Sequence, residues 1–505
     1  MNLMMLLEMA TSGFGDRVAV QNGTSSLTYS ELFAAAGRHA ATLAGSNSER
    51  LAVLDVNSLA IPVGLFASAW AGVPFVPLNY RLTGGELDAL LERITPTYLV
   101  TDAERAPALA DRDQVTVVER ETFLGARGPQ HSDEWSMEAD EIAILLFTSG
   151  TTGAPKAAVL RHKHLVSYIL GSVEFGAADE NDAALVCVPP YHIAGMAAIL
   201  SSVYAGRRIV QLTNFSAENW IETARRERIS NAFVVPTMLA RIVDVLDREG
   251  TATPADNGGF PNLRALAYGG GKMPQAVIER AMRLFPTTNF TNAYGLTETS
   301  STIAVLGPED HRAAAASDDP PLRRRLVSVG RPLPSVEVEI RDEEGHAVAP
   351  GISGEICVRG EQVAGEYLGR GSLLGTDGWF PTRDGGSMDA EGYLFVEGRV
   401  DDVIVRGGEN LSPGEIEDTL LEHQAVADCA VVGVPDEQWG EAVAAVVVLH
   451  DGKTVDADEL RTWVKDRLRS SRSPQQVEFR AELPYNETGK LLRRKVKEDL
   501  ASRGA

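Results

Sequence analysis

Cysteine is scarce in this chain: Cys187, Cys357 and Cys429 are its three cysteines among 505 residues. They stand far apart in apolar surroundings such as "LVCV" and "EICV", with no CxxC pair and no cluster spaced to hold a metal. A disulfide-stapled or zinc-organised fold is excluded, and the pattern predicts reduced, buried thiols in a cytoplasmic protein. Long hydrophobic runs are missing too. No window approaches the roughly 18 apolar residues of a membrane span, so no transmembrane segment is expected. The apolar start, "MNLMMLLEMATSGFGDR", has no basic n-region and meets Glu8 and Asp16 early. It reads as an amphipathic first helix rather than a signal peptide. Positive charge is in deficit: 47 Lys and Arg face 70 Asp and Glu, a formal charge of −23. A polyanion such as a nucleic acid is therefore excluded as a general partner.

Hydrophobic residues make up 44% of the chain, enough for several cores, and the length predicts about three or four domains or subdomains. Up to about residue 300, short apolar runs alternate with amphipathic stretches. "LAVLD" (51–55), "IAILLF" (142–147), "ALVCV" (184–188), "NAFVV" (231–235) and "RALAY" (264–268) read as buried strands. A helix is predicted behind Ser30 as N-cap, with Leu32, Phe33, Ala36, Ala40 and Leu43 at helical spacing. Such alternation implies layered α/β architecture with largely parallel sheets. Residues 306–326 have no clear period and read as a surface excursion. After Gly330 the pattern turns to antiparallel strands ("SVEVEI", "GEICVRG"), predicting a small β-barrel. From about residue 400 a helix, two strands, a helix and a strand predict a compact α+β unit of about 100 residues. No internal repeat is found.

One segment breaks the strand pattern. In "LLFTSGTTGAPK" (145–156), Thr148, Ser149, Thr151 and Thr152 are packed with Gly150 and Gly153 around a single cation, Lys156. Glycines let backbone N–H groups approach phosphate oxygens, hydroxyls donate further bonds and a lysine adds charge. The P-loop pattern is not matched, and an isolated loop of this composition is as readily a polar surface turn.

Three further segments follow in order: "AYGLTET" (293–299), "GRVDDVIVRGGEN" (398–410) and "NETGKLLRR" (486–494). With "TSGTTGAPK", the chain resembles the adenylate-forming superfamily of acyl-CoA synthetases, peptide-synthetase adenylation domains and luciferases. The resemblance covers nearly the whole length. It implies a large N-terminal adenylation domain (1–400) of layered α/β subdomains plus the small barrel, then a small mobile α+β domain (401–505) carrying a catalytic lysine. It implies an AMP-forming acid–thiol ligase that uses ATP, Mg²⁺ and CoA on a carboxylic acid; a homo-oligomer is compatible with it.

The resemblance also implies roles residue by residue. "PPYHIAG" (189–195) sets His192 beside the substrate carboxylate, with Ala194 and Gly195 along the acyl group. In "YGGGKMP" (268–274), Gly269, Gly270 and Gly271 lie along adenine and the acyl pocket. Asn292, Ala293, Tyr294 and Gly295 approach the nucleotide, Thr297 a phosphate, and Glu298 the magnesium. Asp384 in "TRD" holds the ribose hydroxyls with Arg399 as companion. Asp401 is the hinge, Gly407 and Gly408 of "GGEN" serve the CoA step, and Lys490 is the mobile catalytic lysine. The chain departs from the family pattern at Ala157, Arg161, Arg383 and Arg472. None of these removes a catalytic group.

The leading expectation is an acyl-CoA synthetase acting on a fatty or other apolar acid. Small apolar residues around His192 and the glycines around Gly270 suit an aliphatic or aryl chain. No arginine in those two segments can pair with a second carboxylate, which weighs against dicarboxylates. The alternatives are a ligase that loads a carrier protein and a non-catalytic nucleotide-binding relic.

Overall fold

The computed structural model describes residues 1–131, 134–148, 155–250, 254–407, 409–436, 438–486 and 491–503. Among the described residues the strands form four sheets. The nine-stranded sheet runs, in spatial order, Arg331–Pro332, Ser301–Leu306, Asn289–Leu296, Ala265–Gly269, Asn231–Val234, Ala183–Val186, Arg208–Gln211, Val18–Asn22 and Ser25–Thr28. Its six strands from Asn289–Leu296 to Val18–Asn22 are parallel neighbours. Antiparallel strands flank them. The eight-stranded sheet is parallel from Ile142–Thr148 through Phe75–Pro77, Arg50–Leu54 and Thr97–Thr101 to Val115–Glu119. Continuous apolar runs form these inner strands because helices cover both faces. Leu51, Ala52, Val53 and Leu54 are at most 1% exposed.

The sequence strands hold to within two residues, but two local readings change. The helix expected behind Ser30 starts at Tyr29, because Thr28 is its cap: Thr28 Oγ1 accepts from the Glu31 amide at 3.2 Å and Glu31 Oε2 accepts from the Thr28 amide at 2.8 Å. That reciprocal pair satisfies two donors at once. The stretch 306–326 contains helices Pro308–Ala315 and Pro320–Arg324, each opened by proline. His311 and Ala314 are the buried residues of the first helix, too few for a visible period. His311 Nε2 meets the buried Tyr268 hydroxyl at 2.8 Å.

Glu337–Arg341, Gly354–Arg359, Phe380–Met388 and Leu394–Arg399 form a four-stranded antiparallel sheet around its own small core. The path of this sheet is open, so the expected small barrel is a four-strand sheet instead. The C-terminal α+β unit has a five-stranded sheet with one apolar cluster on each face. Helices Pro413–Leu421 and Ala457–Arg467 pack with the first cluster and Arg493–Arg503 with the second. It meets the larger part through Lys272, whose Nζ reaches Asp418 Oδ1 at 2.6 Å and the Gly414 carbonyl at 3.2 Å. The three cysteines are free and buried. No helix among the described residues is long and apolar enough to cross a membrane.

Candidate active site

The phosphate-like loop does not lead from a strand into a helix. Ile142–Thr148 pairs antiparallel with Lys156–Arg161, and Thr148 lies opposite Lys156. Thr148 Oγ1 donates to the Lys156 carbonyl at 3.4 Å. The rest of the predicted cradle, Ser149, Gly150, Thr151, Thr152 and Gly153, lies outside the described residues. Strand pairing therefore fixes the two ends of the loop.

Thr148 and Lys156 open onto a continuous cavity of about 3210 Å³ in the cleft between the large and small parts of the chain. His192, Ala194, Gly270 and Gly271 line it, as do Asn292, Ala293, Tyr294, Gly295, Thr297 and Glu298. Asp384, Arg399 and Asp401 complete the set. These residues come from five separated segments. The strand ends supply several of them, at the edge where parallel α/β sheets present ligand sites.

Each side chain is held by a nameable partner. Tyr294 donates to Asp384 Oδ2 at 2.6 Å, and Arg399 Nε meets Asp384 Oδ1 at 3.0 Å. Asp384 and Arg399 are paired across adjacent strands, and Arg399 Nη1 also donates to the Thr382 carbonyl at 2.9 Å. Burial, then the Asp384 carboxylate, pushes the Tyr294 phenol well up, so it stays a donor. Asn292 Nδ2 is tied to the Ser328 carbonyl at 3.0 Å. Tyr367, which sequence reasoning missed, joins two predicted groups: its hydroxyl donates to Glu298 Oε1, and Lys156 Nζ stands 5.6 Å from its ring centroid. Nothing in the stretch around Tyr367 distinguishes it, since its partners are remote in sequence. Burial and the Glu298 carboxylate push its phenol upward.

His192 caps the N-terminal end of helix Ile193–Ala205, its ring 4.6 Å from that of Tyr191. Burial lowers its pKa to about 4, so the imidazole is neutral near pH 7. Gly195 and Gly269 do not line the cavity. A Cβ on Gly195 would meet the Pro189 carbonyl oxygen at 2.7 Å, and one on Gly269 the Ala293 oxygen at 2.2 Å. These glycines permit close backbone packing behind the wall. Gly407 is also away from the cavity, in a hairpin with its N–H on the Trp439 carbonyl at 2.7 Å. Gly408 and Lys490 lie outside the described residues, but Asn486 and Leu491, on either side of Lys490, line the cleft.

Three of the departures from the expected pattern have structural partners, Arg472 among them through Glu409 at 3.0 Å and Glu415. Arg161 forms a two-bond pair with Glu366 at 2.9 and 2.7 Å. Arg383 has φ 64°, a left-handed conformation suited to glycine, and its Nη2 donates to Asp401 Oδ1 at 2.7 Å.

Among the described residues, no group of three or more His, Cys, Asp or Glu side chains is arranged to hold a metal. Magnesium does not require one: it is commonly held by one or two carboxylates together with substrate phosphates. Glu298, which lines the same cavity as Thr148 and Lys156, fits that donor set.

The profile of the AMP-binding enzyme family matches residues 7–368, and that of the AMP-binding enzyme C-terminal domain matches residues 415–490. A 2-succinylbenzoate–CoA ligase of Bacillus licheniformis is 32% identical over 488 residues, covering 95% of this chain and 96% of its own. A feruloyl-CoA synthase of an Amycolatopsis species is 34% identical over 490 residues, covering 95% of each. The o-succinylbenzoate coenzyme A synthetase of Bacillus subtilis, solved in complex with ATP and magnesium ion, superposes with a TM-score of 0.82 at 31% identity, covering 97% of this chain and 99% of that one. Fold, cavity and likeness agree along almost the full length: the chain belongs to the adenylate-forming, AMP-binding enzyme family, as an AMP-forming acyl-CoA ligase.

Proposed function

We propose that this chain activates an apolar carboxylic acid with ATP and passes the acyl group to CoA. The observation that carries this is the convergence of Lys156, His192, Glu298 and the Tyr294–Asp384–Arg399 group on one cavity. In the first step a carboxylate oxygen attacks the α-phosphorus, and the bond to pyrophosphate breaks. In the second the CoA sulfur attacks the acyl carbon, losing its proton, and AMP leaves.

Carboxylate, α-phosphate and pyrophosphate crowd negative charge into the first transition state, so preorganised cations and N–H donors are the main requirement. The loop from Thr148 to Lys156 cradles the β- and γ-phosphates and releases pyrophosphate. Lys490 neutralises charge between carboxylate and α-phosphate. Glu298, with the substrate phosphates, holds a magnesium ion, which when bound screens phosphate charge. Before that, Tyr367 satisfies the Glu298 carboxylate and keeps it placed. Asp384 receives the ribose hydroxyls, oriented by Arg399 and Tyr294, while Tyr294 and Gly270 border the base. Neutral His192 meets the substrate carboxylate without adding an anion or a full cation.

The domain boundary is proposed at residues 400–401. The part from Asp401 onward turns between the steps, bringing Lys490 in for the first and Gly407 and Gly408 in for the second. The test is pyrophosphate release over a panel of carboxylic acids with ATP and magnesium, with and without CoA. Acid-dependent release with acyl-CoA as product is expected; release without acyl-CoA would redirect the second step to another acceptor.

A further inference from the structure

The cavity extends well past His192. Helix Ile193–Ala205 lines it with Ala194, Ala197, Ala198, Ser201, Ser202 and Ala205, one helical face of small residues. Opposite stand Ala184, Asn231 and Ala265, at the N-terminal starts of three neighbouring parallel strands. The cavity thus reaches from the edge of the sheet where the nucleotide groups gather to the opposite edge. At that far end its wall includes Arg207.

The environment of Arg207 is unusual for a cation. Its neighbour Arg208 is well partnered, bonding Gln21 Oε1, Glu227 Oε2 and the Glu227 carbonyl at 2.6 to 2.9 Å. The Arg207 guanidinium makes no hydrogen bond or ion pair among the described residues, and its Nε is buried without a partner. Tyr29, whose hydroxyl donates to the Arg207 carbonyl at 3.0 Å, is the group facing it. Glu174 also lines this end but forms no ion pair with it. A partly desolvated cation without an anion is costly unless something fills the place.

We propose that Arg207 binds a second carboxylate at the distal end of a long acyl substrate, so that the enzyme selects α,ω-dicarboxylic acids; this rests on the acyl-activating role proposed above. Guanidinium suits that task because its planar donors match a carboxylate in two bonds. The 13-residue helix is about 20 Å long at 1.5 Å per residue. An extended chain covers about 1.2 Å per bond and the arginine reaches back about 7 Å, so a spacer of about ten to fifteen carbons spans the remainder. The tertiary structure thereby reverses the sequence argument against dicarboxylates. That argument considered two segments, and Arg207 belongs to neither.

The experiment measures kcat/KM for pyrophosphate release with octanedioate, dodecanedioate and hexadecanedioate against the matched monoacids, in the full-length protein and in Arg207→Met and Arg207→Lys. Near-ultraviolet circular dichroism checks each variant. The expected result is a preference for the longer diacids. Arg207→Met should reduce the diacid-to-monoacid ratio about ten- to a hundredfold, the worth of a bond to a charged group, chiefly through KM, and Arg207→Lys should keep part of it. Active monoacids with no diacid preference would overturn this inference alone. A folded Arg207→Met that loses both classes equally would also overturn it, by assigning Arg207 to packing. No release with any acid would overturn the acyl-activating role and this inference together.

Discussion

Replacing Asp401 by proline tests the proposed turn between the two half-reactions. Asp401 lies in a single helical turn, Val400–Asp402, between the antiparallel sheet and the C-terminal unit. Proline fixes φ near −65° and removes the N–H, which blocks the backbone change a hinge requires. The substitution also removes the ion pair with Arg383, so that effect has to be sized. Both side chains are more than half exposed, 59% and 54%. An exposed pair is worth about 0.2–1 kcal/mol, at most about a fivefold change in an equilibrium. Asp401→Ala should therefore alter acyl-CoA formation by no more than about fivefold. Arg383→Gly loses the same pair but relieves a left-handed backbone, which costs a non-glycine residue about 1–2 kcal/mol. Glycine's extra freedom when unfolded returns about 0.5–1 kcal/mol of that. Arg383→Gly should stay within about 1 kcal/mol of the parent in urea unfolding. Asp401→Pro should keep exchanging pyrophosphate into ATP yet release acyl-CoA about a hundredfold more slowly, the scale on which misplaced reacting groups cost rate. The assays are pyrophosphate exchange and acyl-CoA formation, with circular dichroism to verify folding. Normal acyl-CoA turnover by a folded Asp401→Pro would refute the hinge. An Asp401→Ala as slow as the proline variant would make the charge, not the backbone, responsible.

Lys490→Ala should slow adenylate formation about a hundred- to a thousandfold while sparing thioester formation from preformed acyl-AMP; an equal loss in both steps would detach Lys490 from the first. Glu298→Gln should lose activity that raised magnesium partly restores, because the amide keeps shape but not charge; Tyr367→Phe, which frees that carboxylate of a donor, should leave the magnesium requirement no higher, and a higher one would make the tyrosine part of the ion site. Ala198→Phe should shorten the accepted acyl chain without weakening ATP binding, read from KM values across a chain-length series; Ala198 is the better position because Gly270 has φ 81° and strains under any side chain. His39, His162 and His164 are buried, and burial lowers each to about 4. The unfolded chain therefore binds protons between pH 6.5 and 4 that the folded chain refuses. Stability from these groups is complete above pH 6.5 and falls on acidification by up to about 1.4 kcal/mol per pH unit per proton. His39→Gln should flatten that fall in urea unfolding, and an unchanged slope would count against the assignment.

The sequence by itself determined the class of fold and the chemistry. Apolar runs such as "IAILLF" are buried strands because a parallel sheet covered on both faces leaves no polar side, and that pattern is local. The ordered segments around Lys156, Tyr294, Arg399 and Lys490 identified the family because each needs particular residue types at fixed spacing. Tertiary structure decided what depended on distance between remote segments. Thr28, not Ser30, caps the second helix because the bond to Glu31 settles it. The loop before Lys156 turns out to end in a paired strand because Thr148 and Lys156 face each other in a ladder that no local pattern encodes. Gly195 and Gly269 are drawn into backbone packing by Pro189 and Ala293, while Tyr367 enters the site through Glu298, remote in the chain. Arg207 next to Arg208 is the sharpest case. The two are adjacent and alike in sequence, but the end of one helix and the start of one strand turn one toward Glu227 and leave the other on the cavity wall, because successive side chains at a strand start point to opposite sides.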